Sequence, residues 1–316
     1  MNSQERSPSF SIIVETENLM LADMNCLRTA LDSLEQQEYS IHNAARVFVQ
    51  DSGNVSDHVL QQLKIDFPWI SLVAIPHDQG HYEAKMICLE KIQTDIVIFC
   101  DSDCVLQPGW LQNLLQPFLL DPTIAVVGGE TQMEPTDPFS LAMVLTHVFS
   151  LYSKNEDLFT ADFYYANNVA FRTVVLRENA IPCDLPLFRG NCTLHARKLI
   201  KSRIKIWRQP LSRAVHAVPE SWGEFSRRFI SMGRDSLQVS QMTAASDDMK
   251  RSWPRATASA IIASKVAETF RRSWQIRTRD PQPLHRMFFA KPIVLLALMF
   301  FSFGAITTSC QKDSVT

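Results

Sequence analysis

Two aspartates one residue apart, Asp101 and Asp103, are the residues of this chain most suited to metal chemistry. They follow the apolar run 95–100, which is typical of a buried strand. Because ligands of parallel sheets bind beyond the carboxyl ends of the strands, we expect both carboxylates to face a crevice. Oxygen ligands suit Mg²⁺ or Mn²⁺, and these cations also bind phosphate oxygens. The pattern predicts a divalent metal site, with Asp101 as the cap of a helix near Trp110 as the alternative.

Polar loops also follow the first two apolar runs of the chain. Thr16 and Glu17 come after the first run, and Asp51 and Ser52 come after the second. We expect both loops at the same sheet edge as the aspartate pair. A carboxylate and short hydroxyl groups there could hold the base and ribose of a nucleotide, but turn and cap chemistry explains each loop equally well by itself.

Short apolar runs alternate with longer amphipathic segments between residues 10 and 127. This pattern predicts strand-helix-strand units, and hence an α/β fold with a mostly parallel sheet flanked by helices. Leu27, Leu31 and Leu34 lie three and four residues apart, so a helix should pack on the sheet between the first two strands. The second half is less regular, and its expected helices cover residues 139–152, 191–200 and 224–239.

The composition is that of a folded, enzyme-sized protein. The 316 residues are 46% hydrophobic and 20% charged, and the formal net charge is -2. Nucleic-acid-binding proteins usually carry a basic surplus, so we expect no nucleic acid partner. The seven cysteines show no disulfide or zinc spacing, which favours a reduced, cytosolic environment.

The C-terminal part of the sequence suggests a membrane. Residues 292–308 carry no charge, which is at the short end of the length that spans a bilayer. Between residues 250 and 291 there are ten basic and two acidic residues, a bias that anionic cytoplasmic lipids attract. The first ten residues lack the apolar stretch of a signal peptide. We expect a membrane-associated protein with a cytoplasmic catalytic domain; the apolar segment could span the bilayer or only insert into it.

The ordered set of motifs resembles the family 2 glycosyltransferases, which are inverting enzymes of the GT-A fold with a Rossmann-like sheet. The resemblance covers roughly residues 10–220. It rests on the segments SIIVETEN, VFVQDSG, EAKMICLEKIQTD, FCDSDCVLQPGW and ANNVAFR. Their order along the chain is more specific than any single segment.

The resemblance implies a role for each matching residue. The residues implied for the nucleotide sugar are Thr16, Glu17, Asp51, Lys85, Asp101 and Ser102. The residues implied for the metal, Mg²⁺ or Mn²⁺, are Asp101, Asp103 and His216. The residues implied for the acceptor are Trp110, Asn167 and Asn168. A histidine such as His216 at a strand end is equally compatible with a structural role.

One position departs from the family pattern. Asn191 stands where the family has the aspartate that removes the proton from the acceptor hydroxyl, and an amide cannot act as a base. The nearby candidates for that role are Asp184 and His195. Asn191 could instead hold the acceptor in line by a hydrogen bond, since positioning alone lowers the barrier.

The resemblance implies sugar transfer from a nucleoside-diphosphate sugar to a hydroxyl of a glycan or lipid-linked acceptor, in envelope polysaccharide or glycolipid assembly. Asn191 keeps open a catalytically silent nucleotide-sugar-binding protein. A nucleotidyltransferase is a further alternative, although the loop after the first strand lacks the glycine and lysine of a phosphate loop. The expected regions are a GT-A domain over 1–220, with a nucleotide-sugar half at 10–130 and an acceptor half at 131–220, then a helical basic region over 221–291, the membrane segment 292–308 and a short tail over 309–316.

Overall fold

The computed structural model describes residues 8–16, 20, 23–77, 79–245 and 256–313. Glu17 and the basic residues at positions 250, 251 and 255 lie outside these ranges. The chain forms two compact units that interleave along the sequence. Unit 1 comprises Met1–Thr131, Tyr152–Cys183 and His195–His216, and unit 2 comprises Gln132–Leu151, Asp184–Leu194 and Ala217–Thr316.

A single sheet carries the strands of the described chain, and it runs in the order β3-β2-β1-β4-β8-β6-β9-β5, with β7 beside β9. The strands are β1 (Phe10–Glu15), β2 (Arg46–Asp51), β3 (Ile70–Ala74), β4 (Ile96–Asp101), β5 (Cys104–Leu106), β6 (Val126–Gln132), β7 (Phe159–Ala161), β8 (Asn168–Arg172) and β9 (Ile206–His216).

The first four strands in sequence are parallel, as predicted, whereas the other half of the sheet is antiparallel. Strand β1 pairs in parallel with both β2 and β4, and β2 pairs in parallel with β3. Strand β8 is antiparallel to β4 and β6, and β9 is antiparallel to β5 and β7. The sheet is therefore mixed, with parallel pairs among β1 to β4 and antiparallel pairs from β8 onward. The chain adds β2 and β3 on one side of β1 and β4 on the other side. Ligands of α/β proteins bind at the carboxyl ends of the strands where the strand order reverses in this way.

The helices of unit 1 cover the sheet. They are α1 (Met24–Glu35), α2 (Asp57–Asp66), α3 (His81–Leu89), α4 (Trp110–Leu120), α6 (Thr173–Glu178) and most of α7 (Asn191–Lys201). All of β1 is buried, which indicates packing on both of its faces. The leucine spacing in α1 has the predicted effect, since Leu27, Leu31 and Leu34 are fully buried in the core.

Unit 2 consists of the helices α5 (Pro138–Thr146), α8 (Trp222–Ala245), α9 (Ala258–Arg279) and α10 (Leu284–Asp313), with the start of α7. Helix α5 ends at Thr146, before the predicted end at residue 152. The reason is the buried guanidinium of Arg272 on α9, which donates to the carbonyls of Val144 (3.2 Å), His147 (2.6 Å) and Phe149 (2.6 Å). These bonds satisfy the last carbonyls of α5 and let the chain leave the helix.

Two residues of the basic segment are therefore structural. Arg272 is 1% exposed and Lys265 is 7% exposed, and both bind Glu268 on the same helix. Burial lowers the pKa of Lys265, partly offset by the charge of Glu268. Both cations belong to the basic segment predicted to attract lipids, but they are buried and instead neutralise and cap groups inside unit 2.

Candidate active site

The carboxyl ends of β1 and β4 lie side by side and bring acidic residues together. Glu15 is paired with Asp101 in the parallel register, and the backbone N–H of Ser102 donates to the Glu15 carbonyl at 2.8 Å. Asp51 ends the neighbouring strand β2. The predicted common edge for these loops is present, because parallel strands point their carboxyl ends the same way.

Helix α3 places two basic side chains against this edge. His81 and Lys85 are four residues apart, so they lie on one face of the helix. The Lys85 Nζ donates to Asp101 Oδ1 at 2.6 Å and to His81 Nε2 at 3.2 Å. The other His81 nitrogen, Nδ1, lies 2.6 Å from the carboxylate of Glu15. These four residues, Glu15, His81, Lys85 and Asp101, form a continuous polar cluster at the strand ends, which we call the β1–β4 cluster.

The β1–β4 cluster is almost sealed from water. Lys85 is 0% exposed, while the side chain of Asp101 is 14% exposed and is the member that reaches the surface. The lysine lies between two carboxylates, since Glu15 Oε2 is 3.8 Å from its Nζ. A side chain buried in this way orients Asp101, and the contact of Lys85 with the nucleotide sugar stays a prediction.

Asp103 belongs to a second cluster on the other side of Ser102. Strand β5 pairs with β9 so that Cys104 lies opposite His216. The His216 Nε2 is 3.2 Å from Asp103 Oδ2, and the ligand atoms of Asp103, Cys104 and His216 all lie within 4.8 Å of one another. A carboxylate oxygen and an imidazole nitrogen at this distance fit a divalent cation such as Mn²⁺. The structure thus brings His216 to the residue that the sequence assigned to the metal.

The loops predicted to bind the nucleotide are present, and some of their side chains form hydrogen bonds within the protein. Thr16 is buried, and its hydroxyl donates to the Gln50 carbonyl at 3.1 Å. Asp51 Oδ1 accepts from the backbone N–H of Gly53 at 3.0 Å, which is the turn chemistry considered as the alternative. Asp51 is only partly buried. Ser102 is buried between the two acidic clusters.

The residues implied for the acceptor lie in the core of unit 1. Trp110 is 0% exposed, and its indole Nε1 donates to Asn168 Oδ1 at 2.9 Å. The Asn168 amide donates in turn to the carbonyls of Glu130 (3.0 Å) and Ser212 (3.1 Å), and Asn167 accepts from Thr131 at 3.1 Å. Both side chains are buried and hold β8 to its neighbours, and the acceptor contacts of Trp110, Asn167 and Asn168 stay predictions.

The three candidates for the proton acceptor, His195, Asn191 and Asp184, differ in their surroundings. His195 is fully buried in unit 1, its Nδ1 accepts from the Tyr164 hydroxyl at 2.5 Å, and its Nε2 donates to the Asn179 carbonyl at 2.5 Å. Burial lowers the pKa of His195 to about 4. With both nitrogens engaged, His195 is a structural group and not a base. In unit 2, Asn191 is buried at the start of α7 and Asp184 is exposed.

The buried His195 makes stability depend on pH. Its ordinary pKa is 6.5 and its folded pKa is about 4, so the unfolded chain binds a proton between these values and the folded chain does not. Stability is therefore lost as the pH falls from 6.5 towards 4, by up to about 1.4 kcal/mol per pH unit. In urea unfolding over this range, His195→Gln should show a shallower pH slope than the wild type, and the exposed His58→Gln should keep the wild-type slope. Equal slopes for all three proteins would contradict the assignment.

Two members of the β1–β4 cluster were not singled out by sequence reasoning. Glu15 is the last residue of β1 and looks like part of an acidic loop, and His81 looks like the polar start of a helix. The four-residue spacing of His81 and Lys85 was a usable signal for a shared face. Nothing in the sequence indicates that this face meets β1, because that contact depends on how α3 crosses the sheet.

The chain is similar in sequence to one protein family and in fold to solved structures. Residues 11–179 match the model of the glycosyl transferase family 2. Mannosyltransferase PcManGT from Pyrobaculum calidifontis, solved with GDP-Man and Mn²⁺, is similar with a TM-score of 0.62 and 17% identity, over 98% of this chain and 89% of that one. GalNAc-T7, solved with UDP, GalNAc and Mn²⁺, has a TM-score of 0.56 and 13% identity, over 88% of this chain and 59% of that one. No curated protein sequence matches the chain.

The family match covers more than half of the chain and includes all of β1 except Phe10, the β1–β4 cluster and the segment Asp101–Ser102–Asp103. The two solved neighbours share the mixed sheet with flanking helices, so the predicted GT-A fold is confirmed. Membership in a glycosyltransferase family also removes the support for a nucleotidyltransferase. On its sequence and on the geometry at the strand ends, this chain belongs to the family 2 glycosyltransferases.

Proposed function

We propose that this protein transfers a sugar from a nucleoside-diphosphate sugar to a hydroxyl acceptor, with inversion at the anomeric carbon. The observation that carries the proposal is the meeting of Asp103 and His216 beside the β1–β4 cluster, at the ligand-binding end of the parallel strands. The solved neighbours bound to GDP-Man and to UDP support a nucleotide donor.

Asp103 and His216 are the residues that would hold a divalent cation, with Asp101 as a further ligand predicted from the sequence. Bound there, Mn²⁺ or Mg²⁺ would offset the charge of the departing diphosphate. The β1–β4 cluster contributes rigidity, because Lys85 fixes one oxygen of Asp101 and leaves little freedom for the carboxylate. A preorganised carboxylate costs no reorganisation when the donor binds. Asp51 and the Thr16 loop, which includes Glu17, are the proposed contacts for the base and ribose.

In the transfer itself, the acceptor oxygen forms a bond to the anomeric carbon while the bond from that carbon to the diphosphate oxygen breaks. The acceptor hydroxyl must lose a proton, and His195 does not take it. Asp184 carries an exposed carboxylate, so it remains the proposed base among the predicted candidates. Asn191 would hold the acceptor by a hydrogen bond.

A second function is favoured by one observation, the amide at position 191. A protein that keeps the donor-binding residues but lacks an effective base would bind the nucleotide sugar without transferring it. In that case Asn191→Asp should create activity. We favour the enzyme, because electrostatic stabilisation by a bound donor and metal generally supplies most of the rate enhancement. The residues proposed to bind both are present in this chain.

The test is a screen of nucleoside-diphosphate sugars with Mn²⁺ or Mg²⁺ that measures release of the nucleoside diphosphate, with glycan and lipid-phosphate acceptors. Metal-dependent release supports the enzyme, and the acceptor that stimulates release identifies the substrate class. Donor binding in calorimetry without release, with release gained in Asn191→Asp, would show the silent binder. The proposed setting is envelope polysaccharide or glycolipid assembly at the cytoplasmic face of a membrane.

A further inference from the structure

Helix α10 exposes a largely apolar stripe, in which Lys291 is the exposed charged residue. It is the only described helix long and apolar enough to cross a membrane, with a candidate span of Leu284–Cys310. The large exposed residues of this span recur every three or four positions or at multiples of that spacing, so they share one helix face. The members of this face are Leu284 (87% exposed), Phe288 (65%), Leu295 (67%), Met299 (57%), Phe303 (56%) and Ile306 (49%), and Phe289 (58%) is exposed at its edge.

The opposite side of α10 packs on α8 at very short range. A Cβ on Gly233 of α8 would come within 2.0 Å of the Phe301 carbonyl oxygen, and one on Gly304 of α10 would come within 2.0 Å of the Ile230 carbonyl oxygen. Ile230 lies against Gly304, and Gly233 lies against Phe301, so the two helices run antiparallel. The contact point lies near the middle of the apolar segment, and only glycine allows this approach.

Helix α8 is amphipathic, and its charged residues restrict how α10 can be oriented in a bilayer. Arg228 and Arg234 lie one or two residues from the glycine contact, and Asp235 follows directly. If α10 crossed the bilayer, these groups would be held close to its midplane, where a charged side chain is unfavourable. If α10 lies flat, α8 is on the water side and only the apolar stripe meets lipid.

Helix α9 carries a second exposed stripe with the chemistry of a membrane interface. Phe270 (73% exposed) and Trp274 (69%) are four residues apart, and the exposed Arg277 continues the same face. Tryptophan and arginine suit the boundary between headgroups and acyl chains. Near the α9–α10 turn, Arg277, Arg279 and Lys291 are exposed, against Asp280 as the acidic neighbour. This local positive surplus complements anionic lipid headgroups.

We propose that unit 2 binds an anionic membrane surface with α10 lying in the plane of the interface, its exposed stripe in the lipid and α8 facing water. Large exposed aromatic and aliphatic side chains on two helices, together with basic residues, are the features of an interfacial helix. The proposal concerns unit 2 alone and does not depend on the proposed sugar transfer.

Depth measurements distinguish a flat helix from a spanning one. Single cysteines at Phe288, Met299 and Ile306 would be labelled with a fluorophore, in the full chain with the other accessible cysteines replaced by serine, and bound to vesicles of phosphatidylglycerol and phosphatidylcholine. Quenching by lipids labelled at different depths should give the same shallow depth at all three positions. A label at Met299 that lies much deeper than the other two would show a spanning helix and overturn the proposal.

Vesicle binding tests the stripe itself. Phe303→Glu should weaken binding to the same vesicles by on the order of tenfold or more, because it removes apolar area from the lipid and adds a charge. The matched control is Leu120→Glu on α4, which changes a 77% exposed leucine of unit 1 and should bind as the wild type does. Omission of phosphatidylglycerol should also weaken binding. Unchanged binding by Phe303→Glu, or its conversion of a dimer to a monomer without effect on vesicles, would show that the stripe meets something other than lipid.

Discussion

Asp103→Asn is expected to lower metal-dependent release of nucleoside diphosphate by on the order of 10³-fold in kcat/KM. Asp103 and His216 are 3.2 Å apart and are the proposed ligands of the cation, and the substitution removes the carboxylate charge. Loss of the charge that offsets a leaving diphosphate corresponds to several kcal/mol in the transition state, and each 1.36 kcal/mol is a factor of about ten. The measurement is the initial rate of release over a range of Mn²⁺ concentrations.

The fold should survive this change, because the side chain of Asp103 is 30% exposed and lies at a strand end. The unfolding midpoint in urea should therefore stay close to that of the wild type. Asp32→Asn, at an exposed position of α1, is the matched control and should keep full activity. His216→Asn should also lower the rate, and the double variant should be little worse than either single one, since both act on the same cation. Full activity of Asp103→Asn, or release that persists in excess chelator, would contradict the assignment.

Much of the donor side could be predicted from the sequence. The apolar run before Asp101 indicated a buried strand, and elementary sheet geometry placed its carboxyl end beside those of β1 and β2. The structure has this arrangement, with Glu15 opposite Asp101. These features were predictable because they depend on residues that are neighbours in sequence or on the common direction of parallel strands.

The acceptor side could not be predicted in the same way. Trp110 and Asn168 are 58 residues apart and bind each other in the core, and His195 is enclosed by Tyr164 and Asn179. A polar residue in a motif looks the same in sequence whether it faces a substrate or satisfies a buried partner. Only tertiary contacts distinguish the two.

The C-terminal helices show a related limit. The length and composition of residues 292–308 are compatible with a span, a flat helix or a core helix. The contact of Gly304 with α8 and the one-sided exposure of α10 are tertiary facts, and they are what favour the flat helix. Fewer basic residues can meet lipid than the sequence alone suggests, because Lys265 and Arg272 are buried around the end of α5.

Lys85→Met is the second change with a large expected effect, and here the effect is on stability. The lysine is fully buried, 2.6 Å from Asp101 Oδ1 and 3.8 Å from Glu15 Oε2. Its removal leaves two neighbouring carboxylates inside the fold without their cation. Breaking a buried ion pair from one side costs about 3 to 5 kcal/mol, and we expect a loss of that order in the free energy of unfolding, measured in urea without any ligand.

A second substitution tests whether the cause is charge or packing. In Lys85→Met with Asp101→Asn, one of the stranded charges is gone, so the double variant should be more stable than Lys85→Met alone. Lys91→Met, at an exposed position two residues beyond α3, is the matched control and should unfold as the wild type does. If the double variant were less stable than Lys85→Met by the full effect of Asp101→Asn, the two side chains would act independently, and Lys85 would be a packing residue. Coupling between them would instead show that the lysine is in place to hold Asp101, and hence that the orientation of a surface carboxylate in this site is stabilised from inside the fold.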